Sequence, residues 1–123
     1  MTTQEIANRL VALCREGKYE QAIQELYSPE IVSVEPAGSP AERVQGFEAL
    51  AEKAKVFQGM IAETHGTTVS EPLVADNFFS CSMSMDVTFK EGPRVNMEEI
   101  CVYHVKDGKV ILEQFFFTPA PGQ

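Results

Sequence analysis

The stretch FSCSMSMDVTFK (79–90), continued by VNMEEICVYHV (95–105) and VILEQFFFT (110–118), decides the fold. In its first segment Phe79, Cys81, Met83, Met85, Val87 and Phe89 alternate with Ser80, Ser82, Ser84, Asp86, Thr88 and Lys90. Successive side chains of a strand point to opposite faces, so this alternation writes one apolar and one polar face. Glu91-Gly92-Pro93 supplies turn chemistry before the second segment. Lys106-Asp107-Gly108-Lys109 is a hairpin signal, because Asp-Gly tolerates the positive φ of a tight turn. The third segment passes through Phe115-Phe116-Phe117 and is stopped by Pro119. An antiparallel meander with one apolar face needs a cover, and the N-terminal half carries helical patterns to supply it.

Thr2 or Thr3 caps a first helix, with Glu5 in its first turn and Ile6, Leu10, Leu13 and Cys14 on one face. Gly17 ends it. A second helix follows with Tyr19, Ala22, Ile23 and Leu26 as its apolar side, then Ser28-Pro29-Glu30 as a break and Ile31–Glu35 as a brief strand. Residues 36–40 read as a loop. A third helix after Gly46 buries Phe47, Leu50, Ala51, Ala54 and Phe57, and Gly59 closes it. Met60 to Val69 is a strand that Glu71–Val74 continues or bulges, and Asp76-Asn77 turns into the meander. The order ααβαββββ predicts one α+β domain over residues 1–123, with three helices on one face of a curved, mainly antiparallel sheet. Strongly curved, such a sheet makes a cone with space between sheet and helices.

The chain of 123 residues carries 18 acidic and 10 basic side chains, a net charge of -8. That balance argues against nucleic acid or an anionic membrane as partner, since both need a cationic footprint. No apolar run is long enough to span a bilayer, and no secretory leader pattern is visible. Cys14, Cys81 and Cys101 show no metal-like spacing, and an odd count predicts reduced thiols in a cytoplasm. His65 and His104 lack the spacing of metal ligands, and no glycine-rich phosphate loop calls for a nucleotide, so no cofactor is expected.

Three features resemble the NTF2-like superfamily, which includes ketosteroid isomerases and SnoaL-like polyketide cyclases. Glu16-Gly17-Lys18-Tyr19-Glu20 through Leu26–Val32 is similar to the family's helix, turn, helix and first strand. Gln45-Gly46-Phe47-Glu48-Ala49-Leu50 is similar to its opening of the third helix, and Val105–Phe115 to its final hairpin. The resemblance implies a cystatin-like cone, and activities that range from isomerases and cyclases to binding proteins without catalysis. Val34-Glu35-Pro36-Ala37-Gly38-Ser39 is similar to the isomerase segment that holds the general base, which would make Glu35 that base. The same likeness puts Leu10 and Cys101 where isomerases have their oxyanion donors, and Phe116 where cyclases have an acid-base Asp. Neither Leu nor a thiol is a good donor, which reads against a standard ketosteroid isomerase.

The residues themselves offer two further carboxylates. Glu99 shares a strand face with Met97, Cys101, Tyr103 and Val105, the face that meets Met83 and Met85. A glutamate in that register needs a partner or a raised pKa. A slip of one residue would turn Glu98, Ile100, Val102 and His104 inward instead. On the last strand Glu113 goes with Ile111, Phe115 and Phe117, while Gln114 goes with Val110, Leu112 and Phe116; both faces are apolar. The expected catalytic set is therefore Glu35 or Glu99 as base with Tyr103 as donor. The expected ligand is a hydrophobic small molecule lined by Tyr27, Phe57, Met60, Phe79, Met83, Met85, Cys101, Glu113, Phe115 and Phe117, unless these residues close into a filled core. Outward Ile100, Val102 and Phe116 predict a homodimer through the outer sheet face.

Overall fold

The computed structural model describes residues 1–39 and 41–119. Three helices, α1 (Thr3–Arg15), α2 (Tyr19–Leu26) and α3 (Phe47–Gly59), cover a sheet of seven strands. The strands are β1 (Tyr27–Val34), β2 (Arg43–Gln45), β3 (Ile61–Val69), β4 (Leu73–Ala75), β5 (Phe78–Phe89), β6 (Arg94–Lys106) and β7 (Lys109–Phe116). They lie in the order β2-β1-β7-β6-β5-β3, with β4 also on β5. Every pairing is antiparallel except β1 with β7, where the N-terminal half joins the meander. This is the α+β architecture the periodicities predict, with two short strands added. β2 and β4 span three residues each and carry too little alternation to be read from sequence.

Local chemistry sets the elements. Thr2 caps α1 in a reciprocal capping box: its hydroxyl accepts from the Glu5 amide and its own amide donates to the Glu5 carboxylate. The helix ends where Gly17, at φ +73°, lets the Lys18 amide turn back onto the Leu13 carbonyl. α1 buries Ile6, Ala7, Leu10, Val11, Leu13 and Cys14 against the sheet, and α2 adds Ala22 and Leu26. The hairpin between β6 and β7 has positive φ at both Asp107 (52°) and Gly108 (74°), as a type I′ turn requires.

Two local expectations are corrected. β1 begins directly after α2 and is longer than Ile31–Glu35; Ser28-Pro29-Glu30 lie within it. Its pairing with β7 shifts between Tyr27 and Val32, and such an irregularity accommodates a proline that has no N–H to give the ladder. On α3 only Leu50 is buried, while Phe47 and Ala51 are exposed; the half-buried side is Lys53, Ala54 and Phe57.

The meander parity is the one that Glu99 requires. Met83 pairs with Glu99, Cys81 with Cys101 and Phe79 with Tyr103, all on the side that faces the helices. At the last hairpin the register slips, His104 pairing with Leu112 but Val105 with Val110. That bulge lets both Val110 and Glu113 point inward, although a regular strand would put them on opposite faces. Phe79 and Tyr103 stack at 4.7 Å in the middle of the core. None of the described helices is long and apolar enough to cross a membrane.

Candidate functional site

α3 contacts β1 and β2 at one side of the concave face and β3 at the other, so it straddles the sheet. Under it inward side chains of β1 and β7 meet one lysine from the helix. Lys53 stands one turn from both Leu50 and Phe57, on the side of α3 that faces the sheet. Its Nζ is 2.8 Å from Glu35 Oε1, and the two side chains are only 18 % and 17 % exposed. The same ammonium donates to Ser33 Oγ at 2.9 Å and lies 5.2 Å from the centre of the Phe115 ring.

Behind Lys53 lies a buried relay. Ser33 Oγ donates to Glu113 Oε2 at 2.8 Å, and the Tyr27 hydroxyl donates to Glu113 Oε1. Burial pushes the Glu113 carboxyl up from its ordinary range; the bonds from Tyr27 and Ser33 and the charge of Lys53 work the other way. Tyr27 is pushed well above the usual phenol range, first by burial and then by the Glu113 charge. Its proton therefore stays on the phenol and serves the carboxylate.

Glu99 is the carboxyl that β6 adds to the concave face. It is half-buried on β6, and its Oε1 accepts from the Cys101 thiol at 3.7 Å. Burial raises its pKa from 4.5 to about 7, helped by the charges of Glu35 and Glu113 and opposed by Cys101 and Lys53. A carboxyl poised near neutrality can both take and return a proton. Cys101 remains a thiol, since the neighbouring Cys81 thiol and burial both raise its pKa. Cys14, Cys81 and Cys101 are unpaired and buried, and burial carries Cys14 up to about 12.

Of the residues expected from sequence, the structure places Glu35 and Phe115 against Lys53, Tyr27 on Glu113, and Cys101 on Glu99. Tyr103 is 2 % exposed and stacked on Phe79 in the core, and burial holds its phenol well above the usual range. Tyr27, Phe79, Met83 and Cys101 likewise belong to the packed core. Met85, Phe57 and Phe117 are half-buried, the last just beyond the end of β7. Met60 follows the last residue of α3 and is 48 % exposed. Sequence reasoning missed Ser33 and Lys53. The spacing Leu50, Lys53, Phe57 was the available sign for the lysine, because three- and four-residue steps share a helix face. Alternation from Ile31 through Ser33 to Glu35 was the sign for the serine.

Among the described residues no group of three or more His, Cys, Asp or Glu side chains is placed to hold a metal ion. His65 instead lies on β3, 2.7 Å from Thr88 Oγ1 and 3.2 Å from Glu63, and His104 stacks on Phe78 at 4.3 Å.

This helix-covered cone, with its inward carboxylates, has known counterparts. The family model described as a SnoaL-like domain matches residues 1–117. The chain belongs to the SnoaL-like family. A crystal structure from Mesorhizobium loti, presented as a candidate SnoaL-like polyketide cyclase, is 35 % identical over 95 % of this chain and all of that one, with a TM-score of 0.90. A cystatin-like protein of unknown function from Xanthomonas campestris superposes with a TM-score of 0.80 at 13 % identity, covering 94 % of this chain and 90 % of its own. A candidate SnoaL-like polyketide cyclase from Jannaschia sp. gives 0.72 at 14 % identity, covering 91 % and 85 %. The last two likenesses bear on fold only. No curated protein matches the SnoaL-like chain significantly.

Proposed function

We propose that this SnoaL-like protein binds an apolar carbonyl compound under α3 and moves a proton beside its carbonyl, with Glu99 as the acid-base group. The observation that carries the reading is Glu99: a half-buried carboxyl on the concave face whose pKa lies at about 7 because burial and the Glu35 charge disfavour its anion. Glu35 and Phe115 beside it supply a second carboxylate and an aromatic wall. In one direction the ionised Glu99 takes a proton from the carbon next to the carbonyl. The protonated Glu99 then returns it, at the same carbon or a conjugated one, which is the proton traffic of an isomerase or cyclase. The same face of the protein, with Glu99 silent, would be a binding site for the same class of molecule.

The test is exchange of the α-hydrogens of an aromatic methyl ketone in deuterated buffer, followed by NMR. The wild type should exceed the buffer rate, with a rise through about pH 7, where Glu99 ionises. Glu99→Gln should fall to background. Ketone binding without exchange would leave a binding protein and remove the enzyme reading.

The reading also takes the outer face of the sheet as the contact between two copies. Ile100 and Phe116, each 49 % exposed and paired directly in register across β6 and β7, support it, with half-buried Val102 beside them.

A further inference from the structure

The proton transfer just described moves negative charge onto a carbonyl oxygen. Neither Leu10 nor Cys101, where the resemblance to isomerases would put donors for that oxygen, is a strong donor. Leu10 is packed in the core and the Cys101 thiol is directed to Glu99. The structure has a different cation in reach.

We propose that Lys53 is a ligand-binding residue of this site: its ammonium receives the carbonyl oxygen of the substrate and stabilises the enolate formed there, and the buried Tyr27–Glu113–Ser33 relay holds it in place. The proposal rests on the proton-transfer reading and names its missing partner. An ammonium has three N–H donors. Glu35 Oε1 and Ser33 Oγ take two, at 2.8 and 2.9 Å. Among the described residues no third acceptor lies within bonding distance, so one donor remains for a ligand. The ammonium is held by Glu35 and Ser33 over the Phe115 ring, which removes most of the rotamer freedom a surface lysine would have to lose on binding. Low exposure of Lys53 and Glu35 means that a charge developing there is poorly screened by water.

The relay explains why a fully buried serine and a buried glutamate stand on neighbouring strands. Ser33 is wholly buried and pairs in register with Glu113 across β1 and β7. Its hydroxyl donates its proton to Glu113, so its lone pairs are turned to Lys53. Tyr27 closes the other oxygen of Glu113. Ser33 and Glu113 are thus positioning residues for the cation, not groups that touch substrate.

The chemistry balances without a co-reactant. The C–H bond next to the carbonyl breaks, its proton goes to a Glu99 carboxylate oxygen, and the electron pair moves into the carbon–carbon bond as the carbonyl oxygen gains the charge. Reversal returns proton and charge. The substrate class that follows is an uncharged enolisable ketone or enone, or a phenol that mimics its enolate.

The probe is 4-nitrophenol, whose phenolate absorbs at longer wavelength than the phenol. The measurement is a spectrophotometric titration with the whole chain, at a pH where the free probe is mostly neutral. The expected result is binding with growth of the phenolate band. Lys53→Met should weaken phenolate capture by at least about tenfold, the loss of one charge-assisted hydrogen bond. Lys53→Arg should keep the band, and Ser33→Ala should weaken it while leaving Lys53 in the chain. Since Lys53→Met strands Glu35, the double variant Lys53→Met, Glu35→Gln removes both charges and should behave the same. Wild-type binding of the neutral phenol alone, no binding at all, or an undiminished band in both Lys53→Met variants would overturn the proposal. Glu99→Gln separates it from the functional reading: it should abolish ketone exchange and keep phenolate capture. Loss of exchange activity in the wild type with capture intact would sink the enzyme and leave the Lys53 site standing.

Discussion

Replacing Glu99 by Gln tests the electrostatics of the site without any ligand. The glutamine keeps the shape and the acceptor for the Cys101 thiol but cannot ionise. In the native protein Glu99 titrates at about 7, against an ordinary 4.5, chiefly because burial disfavours its anion and Glu35 adds a like charge. Below the unfolded value both states hold the proton, and the group contributes its full stability. Between the two values only the folded protein holds it, so stability falls as pH rises, and above the folded value the loss is complete. At about 1.4 kcal/mol for each pH unit separating the two values, the loss is on the order of 3 kcal/mol, less whatever solvent reaches this half-buried group. Urea unfolding at about pH 5 and about pH 8 measures it. Wild type and Glu99→Gln should have similar stability at the lower pH, and the variant should be the more stable by roughly 2–3 kcal/mol at the higher. Parallel pH profiles for the two proteins would refute the argument, because they would mean that Glu99 titrates alike folded and unfolded.

Tyr27→Phe removes the hydroxyl that donates to Glu113 and leaves a buried carboxylate oxygen short of a partner. It should cost about 1–3 kcal/mol in urea unfolding, and a neutral outcome would show that Glu113 does not depend on that bond. Gly108→Ala forces a side chain into positive φ at the β6–β7 turn, where nothing crowds the added carbon closer than 3.8 Å. The expected loss is about 1 kcal/mol from backbone conformation alone, read from the same assay. Ile100→Asp with Phe116→Asp should convert a dimer to a monomer in sedimentation equilibrium without changing the helical signal, since both side chains lie on the outer face. A monomeric wild type would remove the proposed contact between copies.

How far the site was legible depended on the local pattern around each residue. Glu99 was readable because it sits in a long run of clean alternation, where Met83, Cys101 and Tyr103 fix which parity is inward. Glu113 was not, because β7 is apolar on both faces and the bulge at His104–Val105 changes the parity within the hairpin. Lys53 was passed over because a lysine on a helix is ordinarily a solvated group, and its neighbours Phe47 and Ala51 pulled the expected buried face toward the wrong side of α3. Met60 was assigned inward by its apolar character, yet it falls past the end of α3, where the chain turns out to solvent.

The sequence by itself determined the three helices, the longer strands, their order and the inward face of the meander. Those follow from periodicity, capping and turn residues, which act over a few neighbours along the chain. Only the tertiary structure decided that Lys53 pairs with Glu35, that Ser33 bridges Lys53 and Glu113, that their charges reach Glu99, and that Tyr103 is shut in the core. Their spacing along the chain carries no sign of this, because desolvation and charge proximity are sums over side chains from four separate elements that meet only after the sheet has curved under α3.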